Sequence, residues 1–126
     1  MAKWASAAFL DGGLDYLKAN ALKLLLIKAY SAGDSYATVV SNIVASADVA
    51  TGDFTKSSSG SNRLITTATK SATASANSGA SPNLHFAFTD GSANVIWVTD
   101  ETSDQSITSG NTVNFPALTY TTNQPT

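Results

Sequence analysis

The sequence predicts a mainly β protein, a single-domain β-sandwich of jelly-roll or immunoglobulin-like type with a short N-terminal helix. Three observations carry that prediction. From Asp53 onward, short segments rich in β-branched and aromatic residues are separated by Gly, Asn, Ser and Asp. Two of these segments, 84–89 and 94–99, flank an Asp90-Gly91 pair, a strong hairpin signal. Ahead of them, Leu10, Leu14, Leu17 and Ala21 recur at helical spacing. A chain of 126 residues has the common size of one domain, so 1–126 is read as a single unit: an arm over 1–10, a helix over 11–20 and a mostly β-sandwich region over 22–122.

The elements follow in order. Asp11 is of the residue type that caps a helix, and Gly12 and Gly13 loosen the first turn. From Leu22 the run Leu-Lys-Leu-Leu-Leu-Ile-Lys-Ala-Tyr suits a central strand ending at the turn Ser31-Ala32-Gly33-Asp34; continuation of the helix through Ile27 is the competing reading. Residues 36–50 fit an amphipathic helix through Tyr36, Val39, Val40, Ile43, Val44 and Ala47, which is the preferred reading, although their β-branched content also suits a strand. Strands are expected around 63–69, 71–77, 84–89, 94–99, 105–108 and 112–122, with Ser57–Ser61 as a flexible hairpin tip. Leu84, Phe86 and Phe88 share one face, and Pro116 marks an edge or bulge before the last strand. Ser71, Thr73 and Ser75 alternate with Ala72, Ala74 and Ala76, a strand that needs a neighbour at close range.

Composition narrows the function classes. Thirty-three residues are Ser or Thr and twenty are Ala, whereas sixteen are charged, one is His and none is Cys. Such a chain has few groups whose pKa can be brought to neutrality, so an enzyme is not expected, and neither a disulfide framework nor a thiolate metal site is available. All seven Lys and Arg lie in residues 1–70 with five acids, while residues 71–126 carry only Asp90, Asp100, Glu101 and Asp104. Without an Arg cluster the counterion-release contribution to nucleic-acid binding is small, so no nucleic-acid partner is expected. No apolar run approaches the roughly 18 residues of a membrane span, and Trp4 to Leu10 makes a poor signal peptide; a soluble protein made in the cytoplasm, with no membrane partner, is the expectation.

Few residues offer groups suited to chemistry. His85 points opposite to Leu84 and Phe86 and lacks a local nucleophile, which favours a structural or exposed histidine. Asp100, Glu101 and Asp104 lack calcium-loop spacing and read as a solvated turn, and Ser57–Ser61 lacks the Gly-Lys-Ser/Thr ending of a phosphate loop. No cofactor or metal site is expected. Trp97, Tyr30 and Tyr120 are potential sugar-stacking aromatics, with Trp97 more readily placed in the core. Trp4, Phe9, Leu10 and Tyr16 form the candidate partner interface: exposed aromatics on an N-terminal arm and helix either meet a partner or fold back onto the sandwich.

Taken in order, Phe9-Leu10-Asp11-Gly12-Gly13-Leu14-Asp15-Tyr16-Leu17-Lys18, an apolar strand, Ser35-Tyr36, Gly52-Asp53-Phe54, Asn62-Arg63, Leu84-His85-Phe86-Ala87, Val98-Thr99 and the closing stretch from Thr102 to Ala117 resemble small virion proteins of tailed bacteriophages. The resemblance spans nearly the whole chain and rests on turn and strand signatures. It implies a structural role with no catalytic residue, best matched by the capsid cement or decoration type. Such a protein sits on the capsid surface of the virion after synthesis in the host bacterial cytoplasm. Its partners would be the major capsid protein and copies of itself, as a dimer or trimer set by exposed strands. A tail or neck subunit is the structural alternative, and a carbohydrate- or host-surface-binding module is the rival from another class.

Overall fold

The computed structural model describes residues 2–101 and 103–126; Met1 and Thr102, the first residue of the closing stretch above, lie outside it. Ser6 opens helix α1 (Ala7–Asn20), its Oγ accepting the Phe9 N–H at 3.2 Å. The helix therefore starts about one turn earlier than Asp11 predicts, and Phe9 and Leu10 belong to it rather than to the arm. Ser6 is itself a capping type and is followed by two alanines, while Leu10, Leu14 and Leu17 bury one continuous stripe. Asp11 lies within the helix and faces inward.

Strand β1 (Lys23–Ile27) occupies a central position, and the reason for its unbroken apolar run is geometric. Leu24 and Leu26 join the main core, whereas Leu25 and Ile27 face the opposite side and pack with Val39 and Ala87. The ambiguous segment 36–50 divides. Ser35 caps the short helix α2 (Tyr36–Ser41), and strand β2 (Ile43–Asp48) then pairs antiparallel with β1. Both periods were present because both elements are.

A 3-10 turn at Thr51–Asp53 leads into β3 (Phe54–Ser59) and β4 (Asn62–Thr67). Gly60 supplies the positive φ of +62° at their tip, so most of the serine run expected to be a flexible tip is paired strand. After β5 (Lys70–Thr73) a long connection precedes β6 (His85–Thr89) and β7 (Val95–Asp100), the expected hairpin. Its turn is held by Asp90, whose Oδ1 accepts backbone N–H groups of Ser92, Ala93 and Asn94 at 2.9–3.0 Å. The Ala93, Asn94 and Ser92 amides hold that carboxyl well below the usual carboxylate range. Strands β8 (Thr112–Phe115) and β9 (Thr119–Thr122) are divided at Pro116.

Two strand expectations fail. The strand predicted over 71–77 ends at Thr73, and 105–108 is loop. The backbone beyond β5 bonds partly to β2 and partly to the loop before β8: Ser75 N–H donates to the Val44 carbonyl at 2.8 Å, Ala74 N–H to the Asn111 carbonyl at 2.8 Å, Ser78 N–H to the Ile107 carbonyl at 2.9 Å, and Ile107 N–H to Ser78 Oγ at 2.7 Å. Two irregular loops thus satisfy one another.

The described residues hold nine strands in antiparallel sheets, a mainly β architecture with a short N-terminal helix. The sheet orders are β2-β1-β6-β7, β3-β4-β9 and β5-β8. One core joins all three sheets to α1: Leu24, Leu26, Leu84, Phe86 and Phe88 meet Phe54 and Ile65, Val113 and Phe115, and Leu14 and Leu17. Leu84, Phe86 and Phe88 share this core, as their alternation predicts. Tilted ring pairs at 5.7 Å, Phe54 with Phe88 and Phe86 with Phe115, connect the sheets.

Candidate functional site

The inner face of α1 is anchored by charge as well as by leucines. Buried Asp11 receives Arg63 through Nε at 2.8 Å and one terminal nitrogen at 3.2 Å, and Lys56 at 3.3 Å; Lys56 also pairs with Asp15. The Arg63 guanidinium holds the Asp11 carboxyl below its ordinary value against the opposing effect of burial, and Lys56 adds in the same direction. These contacts clamp the helix onto β3 and β4. On its other side Phe9 and Tyr16 remain exposed among the described residues.

Trp4 is 77% exposed, Phe9 78% and Tyr16 52%, whereas Leu10 is only 5% exposed. Leu10 is therefore a core residue, withdrawn from the candidate interface because it is in line with Leu14 and Leu17. Trp4 lies on an arm tied to the C-terminal segment: the Gln124 side-chain amide exchanges two hydrogen bonds with the Ala5 backbone, each 2.9 Å, and Lys3 Nζ donates to the Thr126 carbonyl at 2.7 Å. Phe9, Gly13 and Tyr16 follow at i, i+4 and i+7 along the flank of the helix.

That flank borders a groove of about 480 Å³, walled by Gly13 and Tyr16 of α1, by Val95–Val98 of β7, and by Tyr120 and Thr122 of β9. Four consecutive β7 residues line it: the register with β6 shifts at Phe88/Thr89, so Ile96 and Trp97 both pack toward the main core, while Val95 and Val98 pack toward the opposite side of the sheet, and residues of both sides reach the groove. The groove accordingly runs along a strand edge. Among the described residues both β7 and β9 are end strands of their sheets, so each brings an unpaired edge to this region. No lining side chain is Asp, Glu, Lys, Arg or His. Beyond Val98, β7 ends at exposed Asp100, followed by Glu101.

The aromatic residues considered for sugar stacking separate. Trp97 stacks on Phe88 at 5.2 Å and receives Tyr120 edge-on at 5.4 Å, so it is half-buried rather than an open platform. Tyr30 lies elsewhere, against His85 at 5.6 Å. His85 Nδ1–H donates to the Asn83 carbonyl at 3.0 Å when the ring is neutral with Nε2 bare, and Nε2 lies 3.7 Å from Asp100, longer than a hydrogen bond. Asp104 accepts the Leu84 N–H at 2.9 Å and Glu101 the Ser103 N–H at 3.0 Å, so these acids fasten turns. Among the described residues no group of His, Asp and Glu is placed to hold a metal ion, and no helix is long and apolar enough to cross a membrane.

Sequence reasoning placed Trp4, Phe9 and Tyr16 together but missed Gly13, Thr122 and the edge of β7 as parts of one groove. The Phe9-Gly13-Tyr16 spacing was the available local signal. No local signal brings β7 to β9. The chain matches no family model, no curated protein and no solved structure.

Proposed function

We propose that this protein is a non-enzymatic structural component of a tailed-bacteriophage virion, a cement or decoration protein folded as a β-sandwich of jelly-roll or immunoglobulin-like type. The observation that carries the reading is the exposed apolar set Trp4, Phe9 and Tyr16 on an arm and helix whose other side is clamped to the body. Large exposed aromatics on a firmly held element suit docking to another chain. The sequence resemblance to small phage virion proteins supplies the kind of partner, the major capsid protein together with further copies of this chain. A surface rich in hydroxyls and poor in charge supports solubility before docking, and symmetric repetition multiplies contacts that are individually modest.

Imaging of intact particles tests the reading. Density for this chain over the capsid lattice, in copy numbers that follow the shell, is the expected result, and particles lacking it should release DNA at lower temperature. A few copies at the neck or along the tail would replace the capsid assignment with a tail or neck role. Absence from purified particles would end the reading.

A further inference from the structure

The groove beside α1 and the arm that carries Trp4 are complementary, yet they do not meet within one chain. Trp4 is held toward the C-terminal segment through Ala5 and Gln124, and it does not line the groove. The groove offers an uncharged aromatic wall and a free strand edge. An unpaired edge accepts a backbone segment outside helix and sheet, and residues 2–5 of the arm belong to neither. Charge points the same way. Lys3 precedes Trp4 and is exposed, its Nζ donating to the Thr126 oxygen at 2.7 Å and to no carboxylate side chain, while β7 runs from the groove to Asp100 and Glu101 in the half of the chain that contains no Lys or Arg.

We propose that the groove receives the Trp4 arm of a second copy, lying along the free edge of β7 with Trp4 against Tyr16 and Tyr120 and Lys3 directed toward Asp100. The two surfaces differ, so the contact is head-to-tail and builds a ring or a chain of copies rather than a two-fold pair. Gly13 has a place in this arrangement. A Cβ built there meets nothing within 4 Å, so packing within the chain does not demand glycine, although glycine in a helix interior is costly; the bare position leaves the groove open. The contact rests on the self-association within the preceding reading and not on the capsid, so it is tested on the purified protein alone.

Sedimentation equilibrium of four samples provides the test. Wild-type protein should associate with rising concentration. Trp4→Ala, which removes the arm's anchor, and Gly13→Leu, which fills the groove, should each weaken self-association about thirtyfold or more. A mixture of the two should recover a one-to-one pair that grows no further, because Gly13→Leu still provides an arm and Trp4→Ala still provides a groove. Circular dichroism should find both variants folded, with Gly13→Leu no less stable than wild type. A wild-type monomer at all concentrations, association that survives either substitution, or a mixture that fails to pair would overturn the proposal. Lys3→Glu should weaken association, and Asp100→Lys in the same chain should restore it; failure of that rescue would overturn the assigned direction of the arm.

Discussion

Thr67 illustrates how buried hydroxyls are used in this protein. Its side chain is nearly inaccessible, and its Oγ1 accepts the Leu118 N–H at 2.8 Å while its own N–H donates to the Leu118 carbonyl at 2.9 Å. The hydroxyl replaces a backbone acceptor where the chain between β8 and β9 leaves the ladder. Thr67→Val keeps the shape but strands that N–H, and should cost about 1–3 kcal/mol in urea denaturation, whereas Thr67→Ser should retain most of the stability. Asp11 is a second decisive residue. Its carboxyl is held below its ordinary value of 3.8 by Arg63 and Lys56, so its contribution is complete well above that pH and is lost as pH falls through the lower folded-state value. Asp11→Asn should destabilise by about 2–3 kcal/mol at neutral pH, and the gap from wild type should narrow below about pH 4. The sequence identified Asp11 as a helix residue but assigned it a capping role, because its partners Lys56 and Arg63 lie far along the chain.

Among the elements, α1 carries an unusual internal Gly12-Gly13 pair. Neither glycine has a positive φ among the backbone angles described, and a Cβ at either position meets nothing within 4 Å. Gly12→Ala should therefore raise stability by about 0.5–1 kcal/mol, seen as a higher denaturation midpoint with unchanged slope. The helix itself is legible from Leu10, Leu14 and Leu17, although Ser6 and Asp11 are both capping residue types and it is Ser6 that caps the first turn. The hairpin β6–β7 was equally legible from Asp90-Gly91, but its turn differs from the short two-residue type: Asp90 clamps a longer loop, and Gly91 supplies a φ of +80°. By contrast, 105–108 has strand-like residues without a strand. Its backbone is satisfied by the loop around Ser78, a partner that local propensity does not reveal.

At the scale of the molecule, buried and exposed apolar residues separate cleanly between neighbours in sequence. Phe9 is exposed and Leu10 is buried, although both are apolar and adjacent. Leu10→Ala should cost about 2–5 kcal/mol of folding stability, because it leaves a cavity beneath the helix. Trp4→Ala should change the same measurement by no more than about 0.5 kcal/mol, since its ring contributes little to the core. A large loss of stability in Trp4→Ala would place the arm in the fold rather than at an interface. The hydroxyl-rich composition is also divided at this scale. Some Ser and Thr side chains face solvent, while Thr67, Ser78 and Thr89 are buried and bond to backbone groups, so the composition serves internal loop fastening as well as surface.

The sequence by itself determined the mainly β class, the N-terminal helix, the β6–β7 hairpin, the two-faced burial of β1 and the apolar character of Trp4, Phe9 and Tyr16, because each depends on residue spacing along a short stretch. Only the tertiary structure decided that Leu10 belongs to the core, that Asp11 meets Arg63 and Lys56, and that β7 and β9 present free edges around one groove with α1. Those outcomes depend on which distant segments pack together, and local periodicity records a segment's own faces without naming the segment that covers them.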